Sequence, residues 1–320
     1  MIKPAALKKG DKVAILSPTS SADERMIKKA EQRIWAMGIE PVKFPTCYTR
    51  YGYLAGTDEK RAEDINKAFD DKNIKGIICL KGGYGSMRLL DLLDYDMIRK
   101  NPKIFLGFSD ITGLHVAFNK ICRMITYHGP MAMSSFANIK GAKVKFEPYT
   151  YESLKKNLFS HEPLGFVENP PGEELRCLVG GKAEGEIIGG NLSMISATLG
   201  SSYEVDVKDK IIFLEEVSEP IFKIDKMLTS LSLAGKFKDC AGIILGPFFH
   251  LPAEQIKDGE KIGFELQEIF RDILLPHKKP IIANFRAGHC FPQSTIAFGT
   301  NVMMDADYKK IIFTESGNIL

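Results

Sequence analysis

Apolar residues in the first half of the chain fall in short unbroken blocks rather than in alternation. KVAILS (12–17), EPVKF (40–44), GIICL (76–80), KIFLGF (103–108) and MITYH (124–128) each have strand length. A strand that does not alternate is buried on both faces, so these blocks predict a parallel sheet covered by helices. The intervening segments have helical spacing: Asp23 to Met37 is amphipathic and closed by Gly38, Thr57 caps the charged run DEKRAEDINKAFDD, and a further helix is expected from Ile111 to about Lys120. The chain therefore opens as β-α-β.

The pattern changes after about residue 140. FEPYTYESLKKNLFSHEPLGFVENPPGEEL holds four of the sixteen prolines and predicts at most one short helix, near 150–159. Beyond it the pattern predicts short strands with glycine turns over 182–190, a helix opened by Gly190-Asn191, and a strand from Lys210 to Leu214 that runs into EEVSEP. A helix from Pro220 to about Ala234, a strand over Cys240–Leu245, a helix over about 259–274, a strand over Ile281–Phe285 and a strand-rich tail complete the expectation. The fold class expected is α/β, with residues 1–150 a parallel-sheet domain, 151–178 a linker and 179–320 a smaller mixed domain. A chain of 320 residues is long enough for two cores.

Charge narrows the partners. The 43 basic and 40 acidic residues leave a formal charge of +3 with no long block of either sign, which gives no footprint for nucleic acid or an anionic membrane. No apolar run approaches the roughly 18 to 20 residues of a membrane span, and the amino terminus lacks the apolar core of a signal peptide. Six cysteines are scattered without a C-x-x-C pair, as suits thiols in a reducing compartment, so a cytoplasmic location is expected. The histidines show no metal-ligand spacing, and neither phosphate-loop fingerprint is satisfied. No metal and no cofactor are expected.

Four places could carry chemistry. Ser109 ends the block KIFLGF at a strand's carboxyl edge, where open α/β sheets bind ligands. It reads either as a nucleophile or as an ordinary helix cap, and the surrounding GFSDI is not the G-x-S-x-G elbow. Lys81-Gly82-Gly83-Tyr84-Gly85 follows the strand GIICL, and its glycines permit a backbone cradle for an anion or a plain tight turn. His289, in NFRAGHC, lies just beyond the strand PIIANF. In IIFLEEV the carboxylates Glu215 and Glu216 must face opposite sides of their strand, so only one can face a given cleft.

These pieces, in this order, resemble the LD-carboxypeptidases, a group of serine peptidases that includes muramoyltetrapeptide carboxypeptidase and the microcin-immunity peptidases. The likeness runs from GDKVAILSPTS through YGYLAGTDEKRAEDINKAF, IICLKGGYGSMRLLDLLD, FLGFSDITGLH, IIGGNLSMI and IIFLEEVSEPIFKIDKMLTSL to AGHC. The resemblance implies that Ser109 is the nucleophile, Glu215 the carboxylate and His289 the base. It implies an oxyanion hole of the Gly83 and Asp110 backbone N–H groups, with Lys81, Gly82, Tyr84 and Asn191 binding substrate; by its position Asp110 is also a better candidate than Ser109 to cap the helix that follows. Its implied activity is release of the terminal D-alanine from a murein tetrapeptide in cell-wall recycling, its alternative cleavage of a peptidyl-nucleotide or a noncatalytic muropeptide-binding role. It also implies a barrel-like second domain and a homodimer. Many members carry Arg where this chain has Lys81, and Gly where it has Cys290.

Overall fold

The computed structural model describes residues 1–140, 143–251, 255–257 and 260–320. Five of the apolar blocks become adjacent parallel strands: β1 (Lys12–Leu16), β2 (Glu40–Lys43), β3 (Ile74–Cys79), β4 (Ile104–Gly107) and β5 (Thr126–His128). Their order is β5-β4-β3-β1-β2, and the strand Ile296–Phe298 from the far end of the chain adds antiparallel to β5. Burial on both faces explains the missing alternation. Ala14, Leu16, Ile77, Cys79 and Phe105 enter one core, while Val13, Ile15, Ile78, Ile104 and Leu106 enter the other.

The helices between these strands begin where capping chemistry puts them. Asp23 accepts the Arg25 N–H at the start of α1 (Glu24–Ala36), and Thr57 accepts the Lys60 N–H at the start of α2 (Asp58–Asp70). The helix expected over 111–120 is broken up. A 3₁₀ turn (Ser109–Ile111) leads into the α-helix Thr112–Ala117, which widens into a π turn over Phe118–Cys122.

A second sheet of eight strands holds the remaining core. The strands Lys182–Asn191, Ile211–Pro220, Gly242–Leu251 and Ile281–Ala283 run parallel, flanked by antiparallel strands on both sides. Its two edges are Gly165–Phe166 and Arg176–Val179, so the proline-rich segment supplies both ends of this sheet besides the helix Pro148–Phe159. The fold is α/β, with one parallel-rich sheet and one separate mixed sheet.

Two expectations need correcting. Residues 182–191 form one ten-residue strand rather than short strands with turns. Its glycines serve close packing: a Cβ on Gly189 would overlap the Phe213 carbonyl oxygen, and one on Gly190 would lie 2.5 Å from Thr112 Oγ1. The late helix spans Leu266–Ile273 rather than 259–274. Strand Glu260–Ile262 occupies the start of that range, and the Glu268 carboxylate accepts the Glu265 N–H and so fixes the helix start; residue 259 lies outside the described residues.

Candidate active site

The carboxyl ends of β1, β3 and β4 place three loops side by side. At the end of β4, Phe108 is extended and Ser109, the first residue of the 3₁₀ turn, has φ 66°, a left-handed conformation that turns its side chain out of the strand. The bend has the form of a strand-to-helix elbow, with Gly107 at the first glycine position of the usual sequence and Ile111 where the second would be.

Neither Ser109 nor Asp110 caps that helix. The turn starts without a side-chain cap bond. Asp110 is buried, and its carboxylate instead accepts the Ser86 N–H at 2.8 Å while Ser86 Oγ donates to the Asp110 carbonyl. The expected Asp110 cap is thus replaced by a tie to the loop after β3. Burial pushes the Asp110 carboxyl up, and the Ser86 N–H pulls it back toward the charged form.

The glycine loop lies against the serine. A Cβ on Gly82 would sit 3.1 Å from Ser109 Oγ, and one on Gly83, where φ is 130°, would collide with Ser20 Oγ. Tyr84 is exposed and stands edge-on to Tyr53 with ring centroids 5.6 Å apart. Lys81 reaches across to the Ser21 carbonyl at 3.4 Å.

The second sheet contributes the other two groups. Glu215 lies where the register between Ile211–Pro220 and Gly242–Leu251 shifts, and Gly288 (φ 87°) bends the chain around its carboxylate. Glu215 is fully buried. Its Oε2 accepts the His289 backbone N–H at 3.1 Å and lies 2.7 Å from His289 Nδ1. His289 Nε2 lies 3.0 Å from Ser109 Oγ. The tautomer that satisfies both ring contacts carries its proton on Nδ1 and leaves Nε2 free to accept from the serine hydroxyl. The Phe108 ring packs edge-on against the imidazole at 4.9 Å.

Glu216 points the other way, as strand alternation requires. Its carboxylate accepts from Asn191 Nδ2, Ser193 N and Ser193 Oγ at 3.2, 2.8 and 2.6 Å. Asn191 is itself buried, and its Oδ1 accepts the Met194 N–H. Each end of that amide thus makes a contact within the protein, and Asn191 caps the helix Leu192–Ala197. Cys290 is no rival nucleophile, because burial pushes its thiol up to about 12.

The pattern of residues gave no warning of Ser86, Thr19 or Arg61. Ser86 and Thr19 are short polar residues in turns, and the fully buried Arg61 sits in a run of charges that looks solvated. One usable signal existed: SPTSS follows a strand at the same sheet edge as GGYG and Ser109. Among the described residues no group of three His, Cys, Asp or Glu is arranged to hold a metal ion, and no helix is long and apolar enough to cross a membrane.

An α/β scaffold that sets a bent serine, an imidazole and a buried carboxylate in one hydrogen-bonded line has the chemical outfit of a serine hydrolase. Residues 13–129 match the sequence pattern of the LD-carboxypeptidase N-terminal domain, and residues 184–304 that of the LD-carboxypeptidase C-terminal domain. The chain belongs to the LD-carboxypeptidase family. It is 34% identical over 311 residues to a probable murein peptide carboxypeptidase of Bacillus subtilis, covering 97% of this chain and 93% of that protein. It is 29% identical over 286 residues to the microcin self-immunity protein MccF of Escherichia coli, covering 82% and 80%. The crystal structure of an MccF-like protein from Bacillus anthracis superposes with a TM-score of 0.84 at 30% identity, over 98% of this chain and all of that one.

Proposed function

We propose that the protein is a serine LD-carboxypeptidase that releases the terminal D-alanine of murein tetrapeptides during cell-wall recycling. The observation that carries this reading is the line Ser109 Oγ, His289, Glu215, with contacts of 3.0 and 2.7 Å, in a chain of this family. His289 Nε2 takes the Ser109 proton as the hydroxyl attacks the carbonyl of the L,D bond. Glu215 holds the Nδ1 tautomer and stabilises the imidazolium. The oxyanion meets the N–H groups of Gly83 and Asp110, and the imidazolium then protonates the departing amine. Water, activated by the same histidine, hydrolyses the acyl-enzyme. Lys81 and Tyr84 face the substrate, with Gly82 giving it room. The reading includes a cytoplasmic location, a division near residues 151–178 into two domains that share the site, and a homodimer.

The test is incubation with a murein tetrapeptide. Wild-type protein is expected to liberate D-alanine, and Ser109→Ala or His289→Ala to lower kcat by about 10⁴-fold or more. Activity that survives Ser109→Ala sinks the mechanism. The likeness to MccF and the MccF-like structure supports a second reading, cleavage of a peptidyl-nucleotide. Ser109-dependent cleavage of such a compound with no D-alanine from the tetrapeptide decides for it.

A further inference from the structure

The segment after β1, Ser17-Pro18-Thr19-Ser20-Ser21, has no role in the chemistry above, yet it lies against the glycine loop. Thr19 is fully buried. Its hydroxyl lies 2.9 Å from the Lys81 carbonyl oxygen and 3.0 Å from that of Gly82, so one proton is shared between two carbonyls. The hydroxyl is itself held in place. The Thr19 carbonyl accepts the Ala55 N–H at 2.9 Å, and the Ser20 hydroxyl accepts the Tyr84 N–H at 3.3 Å. Arg61, fully buried on α2, donates through Nη1 to the Pro18 carbonyl and, at 2.9 Å, to the Gly85 carbonyl, while Nη2 binds Asp58. One guanidinium thereby clamps the two loops together.

The consequence follows from the peptide group. A trans peptide is a rigid plane whose C=O and N–H point to opposite sides. The Gly82 carbonyl shares its plane with the Gly83 N–H, and the Lys81 carbonyl shares its plane with the Gly82 N–H. Pinning both carbonyls at Thr19 therefore turns both N–H groups away from Thr19. Gly82 packs directly against the Ser109 hydroxyl, so these two planes border the place where an oxyanion would form.

We propose that Thr19 is a positioning residue for the oxyanion hole: its hydroxyl fixes the peptide planes of residues 81–83 so that the Gly83 N–H is presented to the reacting carbonyl. The proposal rests on the reading of Ser109 as nucleophile. Thr19→Val removes the hydroxyl at nearly constant shape, and Thr19→Ser keeps it. A displaced donor costs rate rather than ground-state binding, so kcat for D-alanine release is expected to fall about 10- to 100-fold in Thr19→Val, with KM changed by less than about threefold. Thr19→Ser is expected to retain most of the rate.

A second readout does not depend on the peptide substrate. Diisopropyl fluorophosphate labels a serine when its oxygen bonds to phosphorus, fluoride leaves and the base takes the proton, with the phosphoryl oxygen seated where the oxyanion would be. Labelling of Ser109, followed by mass, is expected to slow in Thr19→Val by a similar factor and to be restored in Thr19→Ser. A wild-type rate in Thr19→Val overturns the proposal while leaving the nucleophile reading intact. Equal losses in Thr19→Val and Thr19→Ser also overturn it, because packing rather than the hydroxyl is then responsible. Absence of label on Ser109 in the wild type overturns the nucleophile reading and this proposal with it. Should Thr19→Val fail to fold, Thr19→Ala set against Thr19→Ser makes the same comparison.

Discussion

Ser109 holds a backbone conformation that costs a residue with a Cβ roughly 1–3 kcal/mol, and the fold supplies that energy at the residue whose hydroxyl meets His289. The strain and the chemistry can be separated by two substitutions. Ser109→Ala removes the hydroxyl and keeps the Cβ, while Ser109→Gly removes both and relieves the left-handed φ. Both are expected to be inactive, with Ser109→Gly about 1 kcal/mol more stable than Ser109→Ala in urea unfolding. Equal stabilities would mean that φ 66° at this position carries no cost. The same residue also shows where reading from sequence stops. GFSDI marks a strand-end serine, but its partner His289 is 180 positions away, and nothing local distinguishes a cap from a bend.

Three strand ends meet at the level of the elements, and the glycine loop lies close against Ser109. Gly82 illustrates this. An added methyl would lie 3.0 Å from Ser109 Cβ and 3.1 Å from its Oγ, close enough to push the hydroxyl off the line to His289 without burdening the core. Gly82→Ala is expected to lower kcat about 100-fold while shifting the thermal midpoint by no more than about 2 °C. A full-rate Gly82→Ala would show that the hydroxyl tolerates displacement. The elements themselves were legible wherever hydrophobic blocks matched the period of their structure: β1 to β5, α1 and α2 lie within two or three residues of expectation. Glycine was misread over 182–191, because glycine that makes room for a neighbouring backbone looks the same as glycine in a turn. Strand alternation put Glu215 and Glu216 on opposite faces without saying which meets the histidine, and the structure sends Glu215 to His289 and Glu216 to Ser193.

Across the whole molecule the two sheets meet over a buried aromatic layer that contains two histidines. His128, on β5, packs against Phe213 and Phe298 with ring centroids 5.4 and 5.3 Å apart, and neither ring nitrogen has a hydrogen-bond partner among the described residues. His115 lies 6.2 Å from it and 5.7 Å from Phe298, with Nε2 donating to the Gly107 carbonyl at 2.9 Å. Burial pushes His115 down to about 4 and His128 well below the ordinary 6.5. Well above pH 6.5 both are neutral in folded and unfolded chains alike and contribute nothing to pH dependence. As pH falls through 6.5 the unfolded chain takes up protons that the folded layer refuses, so stability declines by up to about 1.4 kcal/mol per pH unit for each histidine. For His115 the loss amounts to about 3 kcal/mol by pH 4. Burial raises the carboxyls of Asp110 and Glu216, which acts in the opposite direction, while Asp58 and Glu204, held low by Arg88 and Lys236, add to the loss only near their own lower range. Between pH 6.5 and about 5 the histidines' loss therefore runs against whatever the raised carboxyls return, and substitution of the histidines tells the two apart. His115→Gln keeps a donor for Gly107, and His128→Leu removes two unpaired nitrogens. The double variant is expected to lose less of its urea midpoint across that window than the wild type does. Parallel slopes in the two proteins would place the acid sensitivity outside this layer. The active-site line crosses the same junction, with Ser109 on one sheet and Glu215 and His289 on the side of the other. Acid is therefore expected to loosen this junction, and its unfolding midpoint on a pH titration to move toward lower pH in the double variant.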